Sequence, residues 1–170
     1  MSVNGKQFLE EYDTHSDALF RYCYVKIGDR EVAKDIVQDV FMKIWVYIQE
    51  GNEVLHLKAL LYRTASNLII DRYRKKQTVS LDLLQETGFD PEDDTHEHVI
   101  DGPDAKFALT LVSQLPEPFQ QAVYLRYVDG LELSEIAEIS GVSTGTVAVR
   151  VHRGVAKLRK LFFQGHEQST

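Results

Sequence analysis

The stretch LSEIAEISGVSTGTVAVRVHRGVAKLRK, Leu133 to Lys160, decides the fold of the C-terminal part of the chain. Its apolar residues follow a helical period over Ser134–Ser140, stop at Gly141, and resume behind Ser143. Glycine favours the position that ends a helix, and serine favours the residue that begins one. The spacing therefore predicts a short helix, a tight turn and a second helix that runs to about Phe163.

The second helix of this pair has two faces with different chemistry. One face, which we expect to be buried, carries apolar residues at steps of three and four: Val147, Val151, Val155, Leu158 and Phe162. The other, predicted to face outward, is mostly basic: Thr146, Arg150, Arg153, Lys157 and Lys160. A basic face on the second helix of a helix-turn-helix suits the DNA major groove. The alternative is a solvated helix end whose cations complement the helix dipole.

The charge of the chain is unevenly distributed. The formal net charge is −7, yet residues 1–76 hold 12 Lys and Arg against 11 Asp and Glu, and residues 105–170 hold 7 against 6. Residues 77–104 hold 9 acidic residues and no Lys or Arg. The acidity therefore belongs to one internal segment, and each flanking piece can present a basic face.

Composition excludes several classes of protein. The 170 residues include 44% hydrophobic side chains, enough for a folded core. Cys23 is the single cysteine, so no internal disulfide can form, and we expect it to be buried in a protein of the reducing cytoplasm. We find no signal peptide and no membrane-spanning run. No metal cluster, phosphate-binding loop or nucleophile is legible, so we expect neither a cofactor nor an enzyme.

The remaining periodicity predicts an all-α protein of two small helical domains, residues 1–76 and 105–170. The acidic segment, residues 77–104, has Gly, Pro and no period, which is typical of a flexible linker. Further helices are predicted over Ser16–Lys26, Arg30–Gln49 with Asp29 as N-cap, Leu55–Lys76, Ala105–Gln114 and Glu117–Val128.

The segment DIVQDVFMKIW, Asp35 to Trp45, predicts an amphipathic helix. Its core face comprises Ile36, Val37, Val40, Phe41, Ile44 and Ile48. The opposite face comprises Asp35, Gln38, Asp39, Met42 and Lys43. Spacing alone favours an ordinary surface helix, but an exposed methionine among acids and amides is also typical of a protein-docking face.

The segment LYRTASNLIIDRYRKK, Leu61 to Lys76, combines basic, amide and aromatic side chains. The predicted inward residues are Leu57, Leu61, Ala65 and Leu68, and the polar set is Lys58, Arg63, Asn67, Arg72, Tyr73, Arg74, Lys75 and Lys76. Cations interleaved with an aromatic ring suit unpaired nucleic acid, because phosphates meet cations and unstacked bases meet the ring. The alternative is simply a charged helix end that enters the linker.

The chain resembles a bacterial extracytoplasmic-function sigma factor in the order of its motifs. These are DALFRYCYVKIGD, DIVQDVFMKIW, LYRTASNLIIDRYRKK and LPEPFQQAVYLRYVDG, followed by the helix-turn-helix. The resemblance covers about Phe8 to Leu161 and includes the spacing between motifs. It implies a dissociable subunit of RNA polymerase that selects and opens promoters. The implied partners are core polymerase, bound through the β′ clamp helices and β flap, promoter DNA and an anti-sigma factor. The free protein is implied to be a monomer.

The resemblance also implies roles for particular residues. Candidate contacts to core polymerase are Asp35, Gln38, Asp39, Met42 and Lys43. The loop Gly51–His56 would hold a flipped base of the minus-ten element, and the implied minus-ten set is Asn52, His56, Lys58, Arg63, Asn67, Arg72, Tyr73, Arg74, Lys75 and Lys76. The implied minus-thirty-five set is Ser143, Thr144, Thr146, Ala148, Val149, Arg150, His152, Arg153 and Lys157. The acidic linker would thread through the basic channels of the polymerase.

Two departures from the family pattern concern the promoter sequence. Leu60 stands where the family often has a tryptophan, and Gly145–Arg150 reads Gly-Thr-Val-Ala-Val-Arg instead of the common Gly-Thr-Val-Lys-Ser-Arg. Ala148 and Val149 cannot donate hydrogen bonds but can meet thymine methyl groups. Readout would then depend more on Arg150, Thr146 and DNA shape.

Two other functions stay open at this point. A sigma mimic would capture an anti-sigma factor without engaging promoters, but such proteins tend to lose the basic faces that this chain keeps. An ordinary helix-turn-helix regulator would bind duplex DNA without polymerase, and it leaves the DIVQDVF and RYRKK segments unexplained.

Overall fold

The computed structural model describes residues 4–79 and 103–167, and every regular element in those ranges is an α-helix. The chain divides into two compact units, Met1–Asp90 and Pro91–Thr170. The first contains α1 (Gly5–Ile27), α2 (Arg30–Gln49) and α3 (Leu57–Val79); the second contains α4 (Pro103–Ser113), α5 (Glu117–Tyr127), α6 (Leu133–Ser140) and α7 (Thr144–Glu167). The predicted all-α class is confirmed, whereas most of the predicted linker, residues 80–102, lies outside the described residues.

The predicted start of the first helix at Ser16 is wrong. Helix α1 begins at Gly5, because Asn4 and Gln7 form a reciprocal cap. The Gln7 N–H donates to Asn4 Oδ1 at 2.9 Å, and the Asn4 N–H donates to Gln7 Oε1 at 3.2 Å. Such a capping box satisfies two backbone donors that a helix start would otherwise leave without an intrahelical partner.

Aromatic packing then holds this early part of α1 against α2. The Phe8 ring lies 4.9 Å from the Trp45 ring, and the Tyr12 ring lies 4.6 Å from the Phe41 ring, both measured between centroids. Rings at these separations contribute packing beyond the area that they bury. The extra turns of α1 are therefore stabilised by tertiary contacts with the second helix.

The corner between α1 and α2 follows the sequence prediction. Gly28 adopts φ 74°, the left-handed conformation that ends a helix, and its N–H donates to the Tyr24 carbonyl. Asp29 is the N-cap of α2, where its Oδ1 accepts from the Val32 N–H at 3.0 Å. A glycine followed by an aspartate thus turns the chain so that α2 packs along α1.

The core of the first unit lies where α1, α2 and α3 meet. The predicted inward residues of α2 are all buried, and α3 adds Tyr62, Ser66 and Ile69, which the sequence reasoning missed. Tyr22 of α1 and Ser66 share a buried hydrogen bond of 2.7 Å between their hydroxyl oxygens. Cys23 is buried as expected, and burial raises the pKa of its thiol to about 12.

The second unit forms around the packing of α5 on α7. Leu125 and Val123 of α5 are buried, as is Val147 of α7. Gly154 allows these helices to pack closely, because a Cβ at this position would overlap the Cγ2 atom of Val123. This role of Gly154 is not visible in the sequence, since a glycine within a helical period usually indicates only weaker helix propensity.

Several other details of the predicted helices differ from the structure. Phe162 is 39% exposed, so its predicted burial is wrong, and Leu161 takes its place on the partly buried side of α7. Leu55 precedes α3 instead of beginning it. The remaining ends move by a few residues: α3 continues to Val79, α4 begins at Pro103 and α7 continues to Glu167. In the described part of the chain, none of the helices has the length and apolarity to cross a membrane.

Candidate nucleic-acid and protein interfaces

The start of α7 is stabilised by Ser143 and Thr146, two residues of the predicted minus-thirty-five set. Ser143 Oγ accepts from the Thr146 N–H at 3.1 Å and lies 2.9 Å from Thr146 Oγ1. Ser143 is therefore the N-cap, as predicted, and both hydroxyls take part in the cap. Their first role in the structure is to set where α7 begins and in which direction it points.

The outward face of α7 combines small, apolar and basic side chains. Seven of the eight predicted residues beyond the cap are exposed: Thr144, Thr146, Ala148, Val149, His152, Arg153 and Lys157. Arg150 is only partly exposed, so it is less available than the stripe in the sequence suggests. Lys157 Nζ lies 5.5 Å from the centroid of the Phe119 ring, a cation–π geometry.

A hydrogen-bonded turn joins α5 to α6, the first helix of the pair. Arg126 donates to the Leu131 carbonyl at 2.9 Å and lies 3.4 Å from a Glu132 carboxylate oxygen. The Glu132 N–H in turn donates to Glu135 Oε2 at 2.8 Å at the start of α6. Gly141, with φ 67°, then makes the tight turn into α7. The predicted helix–turn–helix is thus observed, with both helix starts capped.

The exposed face of α2 matches its predicted composition. Its members all lie on the surface: Asp35, Gln38, Asp39, Met42 and Lys43. Met42 is 64% exposed, and one turn later Val46 extends the apolar part of this face, which the sequence reasoning missed. A methionine and a valine exposed beside carboxylates and an amide form a surface with the composition of a protein interface.

An ion pair joins this face to α3. Arg72 Nη2 lies 4.0 Å from Asp39 Oδ2, and both side chains are partly exposed to solvent. Exposed pairs at such a distance contribute little to stability. Its significance is positional, because a predicted polymerase contact and a predicted DNA contact are neighbours.

The loop between α2 and α3 is ordered by one of its predicted DNA contacts. Asn52 Nδ2 donates to the Tyr47 carbonyl at 2.9 Å, directly after Gly51 turns the chain with φ 87°. His56 is exposed at the end of the loop, and Leu55 is 79% exposed beside it. Leu55 is a loop residue that the sequence reasoning missed, because it was assigned to the helical period.

The predicted basic face of α3 is not a single surface. Arg63, Asn67 and Arg74 are exposed and recur at steps of four and seven, so they share one outward stripe. Lys58 lies partly buried, nearer the core side. Lys75 is exposed beside Arg74.

A second group of α3 residues faces a small groove beside the end of α1 and the start of α2. The groove is lined by Arg72, Tyr73 and Lys76 together with Ile27, Val32 and Ile69. The Tyr73 hydroxyl donates to the Lys26 carbonyl at 2.7 Å, which anchors the ring while leaving about half of it exposed. The predicted minus-ten residues of α3 therefore divide into an outward stripe and a groove.

The described residues thus form two helical units, with a capped helix-turn-helix in one and an exposed acidic–apolar face on α2 in the other. Within residues 4–79 and 103–167, three or more His, Cys, Asp or Glu residues are nowhere grouped to hold a metal ion. Residues 12–79 match the family model of sigma-70 region 2, and residues 108–158 match that of sigma-70 region 4.

Individual proteins give the same assignment. The extracytoplasmic-function RNA polymerase sigma factor SigW of Bacillus subtilis is 33% identical over 163 residues, covering 90% of this chain and 87% of the relative. The sigma factor RpoE of Bartonella quintana, solved with the anti-sigma factor NepR, aligns with a TM-score of 0.75 and 25% identity over 92% of this chain and 97% of its own. CnrH, solved with the cytosolic domain of CnrY, has the same fold, with a TM-score of 0.70 and 20% identity over 95% of this chain and 90% of its own.

The chain therefore belongs to the extracytoplasmic-function sigma factors of the sigma-70 family. This confirms the resemblance seen in the order of the sequence motifs. The roles of individual residues at the three surfaces stay predictions.

Proposed function

We propose that this protein docks on core RNA polymerase through α2 and recognises promoters through two separate DNA surfaces. In this proposal residues 1–76 form the domain for polymerase docking and minus-ten recognition, residues 77–104 form the linker, and residues 105–170 form the minus-thirty-five domain. The observation that carries it is the presence of both kinds of surface, the exposed face of α2 and the basic outward face of α7, in a chain that matches both sigma regions.

The docking step is supported by the exposed residues of α2. Asp35, Gln38, Asp39 and Met42 present charge, amide and apolar area on one side of a helix whose other side is buried. We assign this face, with Lys43, to the β′ clamp helices, and the second unit to the β flap. Carboxylates at the edge of such an interface favour correct encounter with a basic partner.

The opening step would use the loop after α2 and the outward stripe of α3. Asn52 and His56 border the loop that would hold an extruded base, and Arg63, Asn67 and Arg74 offer cations and an amide to the melted strand. Extruding a base costs a few kcal/mol, and contacts to the base and its phosphates can offset that cost. No covalent step is required of this protein.

A regulatory partner, an oligomeric state and a location belong to the same proposal. RpoE of Bartonella quintana was solved with the anti-sigma factor NepR, and we propose that an anti-sigma factor likewise holds this protein when it is inactive. The free protein would be a monomer in the cytoplasm. The 9 carboxylates and absence of Lys and Arg in residues 77–104 suit a linker in the basic channels of the polymerase.

The test is a reconstituted transcription reaction with purified protein, bacterial core polymerase and genomic DNA, in which the 5′ ends of transcripts are mapped. Discrete starts that share two upstream elements at a fixed spacing are expected. Core binding without any starts would contradict promoter recognition and favour a sigma mimic. Duplex DNA binding without core binding would favour a helix-turn-helix regulator.

Two variants separate the surfaces within that assay. Asp39→Lys reverses a charge on α2 and is expected to weaken core binding about tenfold or more, because like charges at an interface repel. Asp17→Lys, an equal change of charge on an exposed position of α1, is the control. Arg153→Ala is expected to weaken promoter binding but leave core binding unchanged, and Lys6→Ala at an exposed position of α1 is its control. Equal core affinity for folded Asp39→Lys and Asp17→Lys would remove Asp39 from the interface.

A further inference from the structure

Val149 lies at the middle of the outward face of α7. It is 48% exposed, whereas Val147, two residues earlier and so on the opposite side of the helix, is completely buried. Its neighbours one turn away along the surface are Thr146 on one side and His152 and Arg153 on the other, and all three are exposed. A branched apolar side chain thus projects from the centre of a polar and basic surface.

The fold does not require a valine at this position. A β-branched residue has lower helix propensity than alanine, and an exposed one gains no core packing in return. Single exposed apolar residues are common on protein surfaces and need no explanation by themselves. Here, however, Val149 lies in the second turn of α7, whose outward face the proposed function assigns to promoter DNA. In a helix-turn-helix, residues near the start of the second helix reach base edges in the major groove.

The chemistry of the side chain selects among the bases. Valine neither donates nor accepts hydrogen bonds, so facing a polar edge of guanine, cytosine or adenine would desolvate that edge without compensation. Thymine alone among the four presents a methyl group in the major groove, and apolar side chains pack on it. The two methyl groups of Val149 therefore complement thymine better than any other base.

We propose that Val149 is a specificity-determining residue that reads the C5-methyl group of one thymine in the minus-thirty-five element. This inference rests on the proposed function, because it requires α7 to contact that element. Arg153 and Lys157 on the same helix would supply phosphate contacts that do not depend on sequence. Ala148, exposed on a neighbouring strip of the helix, leaves room for close approach but is too short to make the same contact.

The experiment removes the methyl group from the DNA. Holoenzyme formed from this protein and core polymerase is bound to its mapped promoter, in which each thymine of the minus-thirty-five element is replaced in turn by deoxyuridine. Uracil pairs as thymine does but lacks the C5-methyl group. At one position the replacement is expected to weaken binding about three- to fivefold, the effect of exposing one methyl group.

Substitutions in the protein test the same contact in combination with the uracil replacements. Val149→Ala is expected to weaken binding to the thymine promoter by a similar factor and to be insensitive to uracil at that position. Val128→Ala removes methyl groups from an exposed valine at the end of α5 and should retain full sensitivity to uracil. Both positions are exposed, so neither substitution is expected to disturb the fold.

Three outcomes would overturn the proposal. They are a promoter element without any A·T pair, wild-type binding that is unaffected by every uracil replacement, and a Val149→Ala protein that keeps the same uracil sensitivity. Failure of the proposed function is distinguishable, because in that case no holoenzyme would form or no transcript starts would be available to define a promoter.

Discussion

The two units arrange their candidate contacts in different ways. In the second unit, α7 places its core residues on one side and its outward residues on the other, with Val147 fully buried and Val149 about half exposed. In the first unit, candidate contacts also maintain the structure: Asn52 binds the Tyr47 carbonyl and Tyr73 binds the Lys26 carbonyl. Substitutions of Val149, His152 or Arg153, which are exposed on α7, can therefore change recognition alone. Substitutions of Asn52 or Tyr73 in the first unit change recognition and stability together.

The largest expected effect concerns the contact between α5 and α7. Gly154→Ala places a methyl group on Val123 and is expected to destabilise the second unit by about 1–3 kcal/mol, as overpacking does. This loss would occur although alanine has the higher helix propensity, by about 1 kcal/mol. Amide hydrogen exchange of α5 and α7 measures it, with α1–α3 as an internal reference.

Gly165→Ala is the matched control for this substitution. Gly165 lies in the same helix, and a Cβ there would have no neighbour within 4 Å. Its replacement should leave stability unchanged or slightly increase it. If Gly154→Ala also left stability unchanged, the close contact between Gly154 and Val123 would not constrain the packing of α5 on α7.

A smaller effect would test the dual role of residues in the first unit. Asn52→Ala removes the hydrogen bond to the Tyr47 carbonyl and is expected to cost about 1 kcal/mol of stability, together with a slower promoter opening. Asn67→Ala removes the same kind of amide from the exposed stripe of α3. It should change stability by less than about 0.5 kcal/mol while still slowing opening. Denaturant unfolding and permanganate footprinting of the melted region measure the two quantities, and equal stability losses would contradict the contrast.

The smallest effect near neutral pH is expected at Cys23. Burial raises the pKa of this thiol from 9.0 to about 12, partly opposed by the charge of Lys26. Well below pH 9 the thiol is neutral in both the folded and the unfolded chain, so its contribution to stability is fully present. As the pH rises towards 12 the unfolded chain ionises first, and this contribution is lost.

The free energy of unfolding against pH measures this effect. Cys23→Ala is expected to show a shallower decline between pH 9 and 12 than the wild type. The native thiol should also resist alkylation at pH 8 and react readily in denaturant. Rapid labelling of the native protein would show that the core of the first unit opens easily and is not a rigid support for its surfaces.

The sequence predicted the elements whose signals are local. Gly28 with Asp29, and Gly141 with Ser143, marked both helix corners correctly, because their conformations depend on adjacent backbone. The start of α1 was missed, since it depends on rings of α2 that are distant in sequence. The Asn4–Gln7 pair was a legible signal for that start, because it has the spacing of a capping box.

The candidate sites were predictable to a similar degree. Period alone identified the exposed residues of α2, since a helix with one buried face must expose the other. It could not show that the basic residues of α3 divide between a stripe and a groove, because Arg72, Tyr73 and Lys76 take their places from contacts with α1 and α2. Nor could it show Gly154, whose role depends on the distance between two helices.

The separation of faces on α7 has a consequence for how such a protein can diversify. Val149, His152 and Arg153 can be exchanged without touching the α5 contact, so effects on target preference and on folding should be nearly additive. A descendant with new targets is then reachable through intermediates that all remain folded. Gly154, by contrast, should persist in lineages that retain Val123 opposite it. One helix thus combines exposed residues that can vary with a glycine that the packing of α5 on α7 constrains.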